Sequence, residues 1–130
     1  MYRQTTRSIE VKVRPTYLED HSRPDQGLYV WSYHIEIANH GEAPVQLRHR
    51  YWRILSSTGQ LLEVRGEGVV GDQPRIEPGG RFHYSSFTNL PSSSGMMLGS
   101  YQMEAETGET FDIDIPAFSL DSPDQLALPN

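Results

Sequence analysis

Leu28-Tyr29-Val30-Trp31-Ser32-Tyr33-His34-Ile35-Glu36-Ile37-Ala38 decides the fold. Tyr29, Trp31, Tyr33, Ile35 and Ile37 fall on one face of an extended chain, and Ser32, His34 and Glu36 fall on the other. Successive Cβ atoms of a strand point to opposite sides, so this period of two specifies a half-buried strand rather than a helix. Its aromatic and β-branched face must be covered by a second layer. Asn39-His40-Gly41 ends the run with turn chemistry, because Asn and Gly tolerate positive φ.

The same alternation extends in both directions. Upstream, Ile9, Val11 and Val13 alternate with Glu10, Lys12 and Arg14 as far as Pro15. Downstream come Val45 to Leu55, the turn Ser57-Thr58-Gly59, a strand from Leu61 to Arg65, and a strand from Arg81 to Phe87. Met97, Tyr101 and Met103 alternate next, with Gly99 weakening that strand or marking a bulge. Thr107-Gly108 then turns into Phe111, Ile113 and Ile115. About seven short strands with no helical run between them predict an antiparallel β-sandwich, with a closed barrel as the alternative.

Two breaks of phase are visible. Val45 and Leu47 are odd-numbered while Trp52 and Ile54 are even, which places a bulge within Arg48-His49-Arg50-Tyr51. Ile113 and Ile115 give way to Phe118 and Leu120 across Pro116, which cannot donate to a ladder. Residues 1–120 are expected to form one domain, and 121–130 a loosely held tail.

The 130 residues carry a formal charge of −6 and no cysteine. Disulfides, thiolate metal sites and a cysteine nucleophile are excluded. The acidic balance argues against a dedicated nucleic-acid binder, which needs a concentrated basic face. No apolar run suits a membrane span, and the N-terminal stretch lacks the apolar core of a secretion signal, so a cytoplasmic protein is expected.

Several distinctive segments occur together: Tyr51-Trp52-Arg53-Ile54, the run from Gly66 through Pro74, the turn Pro78-Gly79, and Phe82-x-Tyr84-x-Ser86. Gly95-x-Met97-x-Gly99-x-Tyr101-x-Met103 and Phe111-x-Ile113-x-Ile115-Pro116-x-Phe118 complete the set. From about Ile9 to Leu120 the sequence resembles the ApaG family. The resemblance implies a fibronectin type III-like, immunoglobulin-like sandwich. It also implies a stand-alone bacterial protein without an established enzymatic role, in a family associated with cobalt and magnesium handling. Similar domains occur in an F-box substrate adaptor and a polymerase-delta-interacting protein, where the implied role is partner recognition. Phe87-Thr88-Asn89-Leu90-Pro91-Ser92-Ser93-Ser94 departs from the family pattern and reads as a flexible loop.

Gly66-Glu67-Gly68-Val69-Val70-Gly71 matches the G-x-G-x-x-G signature of pyrophosphate sites. Gly66, Gly68 and Gly71 are therefore phosphate-binding candidates, through a nest of backbone N–H groups. The signature normally uses a following helix N-terminus, and Pro74 and Pro78 leave no room for one. Chance alone produces the match in about 8% of sequences with this glycine content. Glu67 within the loop would also repel phosphate, so a tight strand connection explains the glycines as well.

Arg48-His49-Arg50-Tyr51-Trp52-Arg53 is the partner-binding candidate, with Arg48, Arg50, Tyr51 and Arg53 as the expected contacts. Arg and Tyr anchor interfaces because they combine large contact area with polar groups. A local basic patch on an acidic protein also steers an acidic partner. The alternation sends Trp52 and Ile54 to the core, and the arginines are then the exposed alternates. His34 with Glu36, and Asp112 with Asp114, share strand faces and could join in a divalent site if their strands were neighbours, yet no two histidines show ligand spacing, so no metal is assigned. His49 and His83 lack a nucleophile context, and no G-x-S-x-G occurs, so no catalytic residue is assigned. The expected reading is a non-enzymatic module that binds a protein partner without a cofactor, as a monomer or a weak edge-strand dimer.

Overall fold

A computed structural model describes residues 1–123 and contains nine strands in two antiparallel sheets. They are β1 (Tyr2–Thr6), β2 (Ile9–Tyr17), β3 (Tyr29–Asn39), β4 (Val45–Ser56), β5 (Leu61–Glu67), β6 (Arg75–Ile76), β7 (Arg81–Leu90), β8 (Ser94–Ala105) and β9 (Thr110–Asp121). One sheet runs β1-β2-β3-β7; the other runs β5-β4-β8-β9, with β6 pairing β4 beyond the end of β5. The backbone passes between sheets at β3–β4, β6–β7 and β7–β8. The result is the antiparallel sandwich expected from the alternation, of the fibronectin type III-like, immunoglobulin-like kind that the resemblance implies.

The opening stretch fills the centre. Trp31, Tyr33, Ile35 and Ile37 are buried on the inner face of β3, opposite Trp52, Met97, Tyr101, Ile113 and Phe118 of the other sheet. Trp52 stands edge-on to Tyr33 at 5.4 Å and to Phe118 at 6.0 Å, so aromatic packing ties the sheets together. The Asn39 turn is held by its side chain, whose Nδ2 donates to the carbonyls of Ala43 at 2.9 Å and Ile76 at 3.0 Å, while Oδ1 accepts the Gly41 amide.

Two strands exceed the seven read from alternation. β1 is polar and mostly exposed, so it has no apolar rhythm to read, and β6 has only two residues. The Phe87–Ser94 segment is not the expected loop: β7 continues to Leu90 and β8 begins at Ser94, because Leu90 is buried and anchors the strand end. Both breaks of phase are bulges. Register shifts between Leu47 and His49, making Arg48 the extra residue of β4, and β9 gains one residue around Pro116–Ala117 where it pairs β8. The ordered body passes the boundary at residue 120, since the Asp121 carbonyl accepts the Trp31 indole N–H at 2.9 Å and Ser122 is fully buried. The rest of the expected loose tail lies outside the described residues.

Candidate functional site

The bulge at Arg48 determines which side chains share a face. Past it, Arg50, Trp52 and Ile54 point inward, and His49, Tyr51, Arg53 and Leu55 point outward. The arginine cluster therefore does not form one patch. Arg48 is held at the bulge, its Nε on Glu104 at 3.0 Å and its Nη1 on the Gln73 amide oxygen at 2.9 Å. Arg50 turns toward Tyr33, Trp52 and Tyr84 rather than outward. Of the four expected contacts, Tyr51 and Arg53 lie together on the outer face.

That outer face carries a groove of about 770 Å³ lined by His49, Tyr51, Arg65, Glu67, Ser100, Gln102 and Asp112, with Arg50 and Gly66 also at its border. Cross-strand register builds it in rows: Glu67, His49, Gln102 and Asp112 form one, and Arg65, Tyr51, Ser100 and Asp114 the next. Ser100 is the small residue in the middle, so the larger neighbours form walls around it. Tyr51 is fixed from three sides. Its ring lies under the Arg65 guanidinium at 4.1 Å, its hydroxyl donates to Glu63 at 3.0 Å, and Arg65 itself pairs Glu63 at 3.5 Å. Partial burial, followed by the bond to the Glu63 carboxylate, holds the Tyr51 phenol above its ordinary pKa. His49 Nδ1 donates to the Gln102 amide oxygen at 2.8 Å. Two rows further along β4, past the Glu63-Arg53-Leu98 row, Leu61, Leu55 and Met96 lie side by side and exposed as an apolar strip.

Arg65, Ser100 and Gln102 were not singled out by the sequence, and Asp112 was considered only as a metal ligand with Asp114. Each is an outward residue of its strand, but only inter-strand register brings them beside Tyr51. The parity of β5 and β8 relative to β4 is the one sequence signal that bears on it.

The glycine loop is a strand connection, and its Gly68, Val69 and Asp72 amides bond within the protein. The Gly68 N–H donates to the Arg48 carbonyl at 2.8 Å, and Val69 and Asp72 exchange both backbone bonds, at 2.8 and 2.9 Å. Val70 and Gly71 between them both have positive φ, the signature of a type I′ turn. Gly66 lies in β5, opposite Arg50, and no helix follows. The two residue pairs considered for metal, His34 with Glu36 and Asp112 with Asp114, lie on opposite outer faces of the sandwich. Glu36 pairs Lys12 and Arg81 and His34 shares a bond with Ser85, whereas Asp112 and Asp114 belong to the groove side. Among the described residues no group of three His, Asp or Glu side chains is placed to hold a metal ion. Among them too, no helix is long and apolar enough to cross a membrane.

Fold and site together define a small two-sheet β-sandwich with a pre-formed groove on one outer face. The profile of the ApaG domain matches residues 19–105. Protein ApaG of Parvibaculum lavamentivorans is 58% identical over 123 residues, covering 95% of each sequence. Protein ApaG of Rhodospirillum centenum is 52% identical over all 130 residues of both. A crystal structure of the putative ApaA protein from Bordetella pertussis superposes with a TM-score of 0.86 at 40% identity, covering 88% of this protein and 94% of that one. An X-ray structure of a structural-genomics target gives the same TM-score at 38% identity, over 98% of this protein and 96% of that one. The protein belongs to the ApaG family. None of these names states a reaction.

Proposed function

We propose that this protein is a non-enzymatic binding module that takes a segment of a partner protein on the outer face of the β5-β4-β8-β9 sheet. The observation that carries the reading is the groove around Ser100, with Tyr51 locked in place beside it by Arg65 and Glu63. An aromatic side chain fixed before binding loses little entropy when a partner arrives. Tyr and Arg are also the residue types that dominate interface energetics. The nearby Leu61, Leu55 and Met96 add exposed apolar area.

Under this reading the family's association with cobalt and magnesium acts through the partner rather than through an ion bound here. The test is affinity capture with the parent protein, a Tyr51→Ala/Arg65→Ala variant, and a His34→Ala/His83→Ala control on the opposite outer face. The reading expects a captured protein that disappears with the groove variant and persists with the control. A captured set that is identical for all three baits rejects the groove as the binding face.

A further inference from the structure

A second recess lies between β4 and the sheet of β3 and β7, beside the turn that follows β5. It has a volume of about 200 Å³ and is lined by Tyr33, Arg50, Trp52, Val69, Val70, Tyr84 and Ser86. Arg50 is its one cation. The guanidinium lies over Gly66, where a Cβ would come within 2.8 Å of its Cζ and both terminal nitrogens. Nη1 donates to the carbonyls of Glu67 at 3.0 Å and Gly68 at 2.9 Å. Among the described residues, Nε and Nη2 donate to no protein group, and no carboxylate forms an ion pair with Arg50. A partly buried guanidinium held by two carbonyls on one nitrogen, with its remaining edge free of protein partners, is a site for an anion.

The rest of the recess limits what fits. Tyr33 and Ser86 both present hydroxyl groups to it. Burial raises the phenol pKa of Tyr33, Tyr84 and Tyr101, and the nearby Arg50 charge opposes that rise in each. Trp52, Val69 and Val70 are apolar. At about 30 Å³ per water the space equals about seven waters, which suits an anion with a short body rather than a nucleotide. Val70 is a β-branched residue held at φ +43° and 58% exposed. Turn chemistry would favour Asn there, so an apolar side chain at the lip suits the recess better than it suits the turn.

We propose that this recess binds a small organic carboxylate, with its oxygens on the free edge of Arg50 and its apolar body against Trp52, Val69 and Val70. A guanidinium edge matches the two oxygens of a carboxylate side-on. A single cation among neutral groups balances one negative charge, whereas a phosphate dianion would keep an excess. The site takes its charge from Arg50 and leaves the Gly68 and Val69 amides to their protein partners.

The test is an NMR titration of the 130-residue protein with acetate, benzoate, N-acetylphenylalanine and inorganic phosphate in separate series, following the Trp52 indole and Arg50 Nε–H signals. N-acetylphenylalanine stands for the terminal carboxylate of a peptide and benzoate for a free acid, so their relative affinities separate those two sources. Saturable shifts at both signals are expected for benzoate or N-acetylphenylalanine, with phosphate weaker. Arg50→Lys keeps the charge but loses the fork and should weaken binding at least about tenfold. Ser86→Val fills the recess without touching the loop bonds of Arg50, and should weaken binding by a similar factor. If Arg50→Lys fails to fold, Ser86→Val decides alone. No saturable shift with any carboxylate, tighter binding of phosphate, or affinity unchanged by Ser86→Val each overturns the proposal.

Discussion

Gly68→Ala separates an architectural glycine loop from one that serves a ligand. Gly68 has φ +62°, and a Cβ there would lie 2.2 Å from the Asp72 carbonyl oxygen and 2.9 Å from its carbon. Both atoms are backbone, so relief requires the hairpin to shift. Left-handed strain for a non-glycine residue costs about 1–2 kcal/mol. Moving the hairpin also loses the Gly68–Arg48 bond and both Val69–Asp72 bonds, at about 1 kcal/mol each, for a total of about 4–5 kcal/mol. Gly71→Ala is the internal control: φ is +87°, but nothing lies within 4 Å of its Cβ. It should cost only the strain, about 1–2 kcal/mol. Gly66→Ala should fall between, because its Cβ displaces the Arg50 guanidinium, which is the movable end of a side chain. Guanidinium chloride denaturation of the three variants measures the order directly. A Gly71 variant as damaged as Gly68, or a neutral Gly68 variant, refutes the assignment of these glycines to backbone geometry.

Val70→Asn gives the turn its preferred Asn-Gly sequence and should raise stability by about 1 kcal/mol in the same denaturation assay. Asn39→Ala leaves the Ala43 and Ile76 carbonyls and the Gly41 amide without their partner, and should lower stability by about 3 kcal/mol at about 1 kcal/mol per bond. Glu10 is held below the ordinary carboxylate range by its bond to His40, then by the charges of Lys12 and Arg3. A depressed acid contributes stability that is complete above its unfolded value near 4.5 and is lost as pH falls through the lower folded value. Urea midpoints measured from pH 6 downward should show this loss, and Glu10→Gln should flatten it. Burial raises the phenols of Tyr84 and Tyr101 well above the ordinary value of 10.0, so ultraviolet titration should find both still protonated beyond that pH until the protein unfolds.

The strands with one apolar face were legible because burial imposes a period of two, from Ile9 through Ile115. The break between Leu47 and Trp52 even located the β4 bulge. β1 was silent because Tyr2 alone of its residues packs against the core, too little for a rhythm, and the Phe87–Leu90 continuation was obscured by polar residues alternating on an edge strand. The site was harder to read. Tyr51 and Arg53 share a face by parity, but the single extra residue at Arg48 moves Arg50 to the opposite side of the sheet. A bulge displaced by two residues along the sequence would have left it outside. Arg65, Ser100 and Asp112 join Tyr51 through register across three strand pairings, which no local pattern encodes.

Binding at the outer groove is tested most directly by crosslinking inside the cell. A photo-reactive benzoylphenylalanine at position 100, in the floor of the groove, is compared with one at position 85, on the outer face of the other sheet. The account predicts a discrete protein adduct from position 100 and none from position 85. Adducts from position 85 alone, or from neither position, would contradict it.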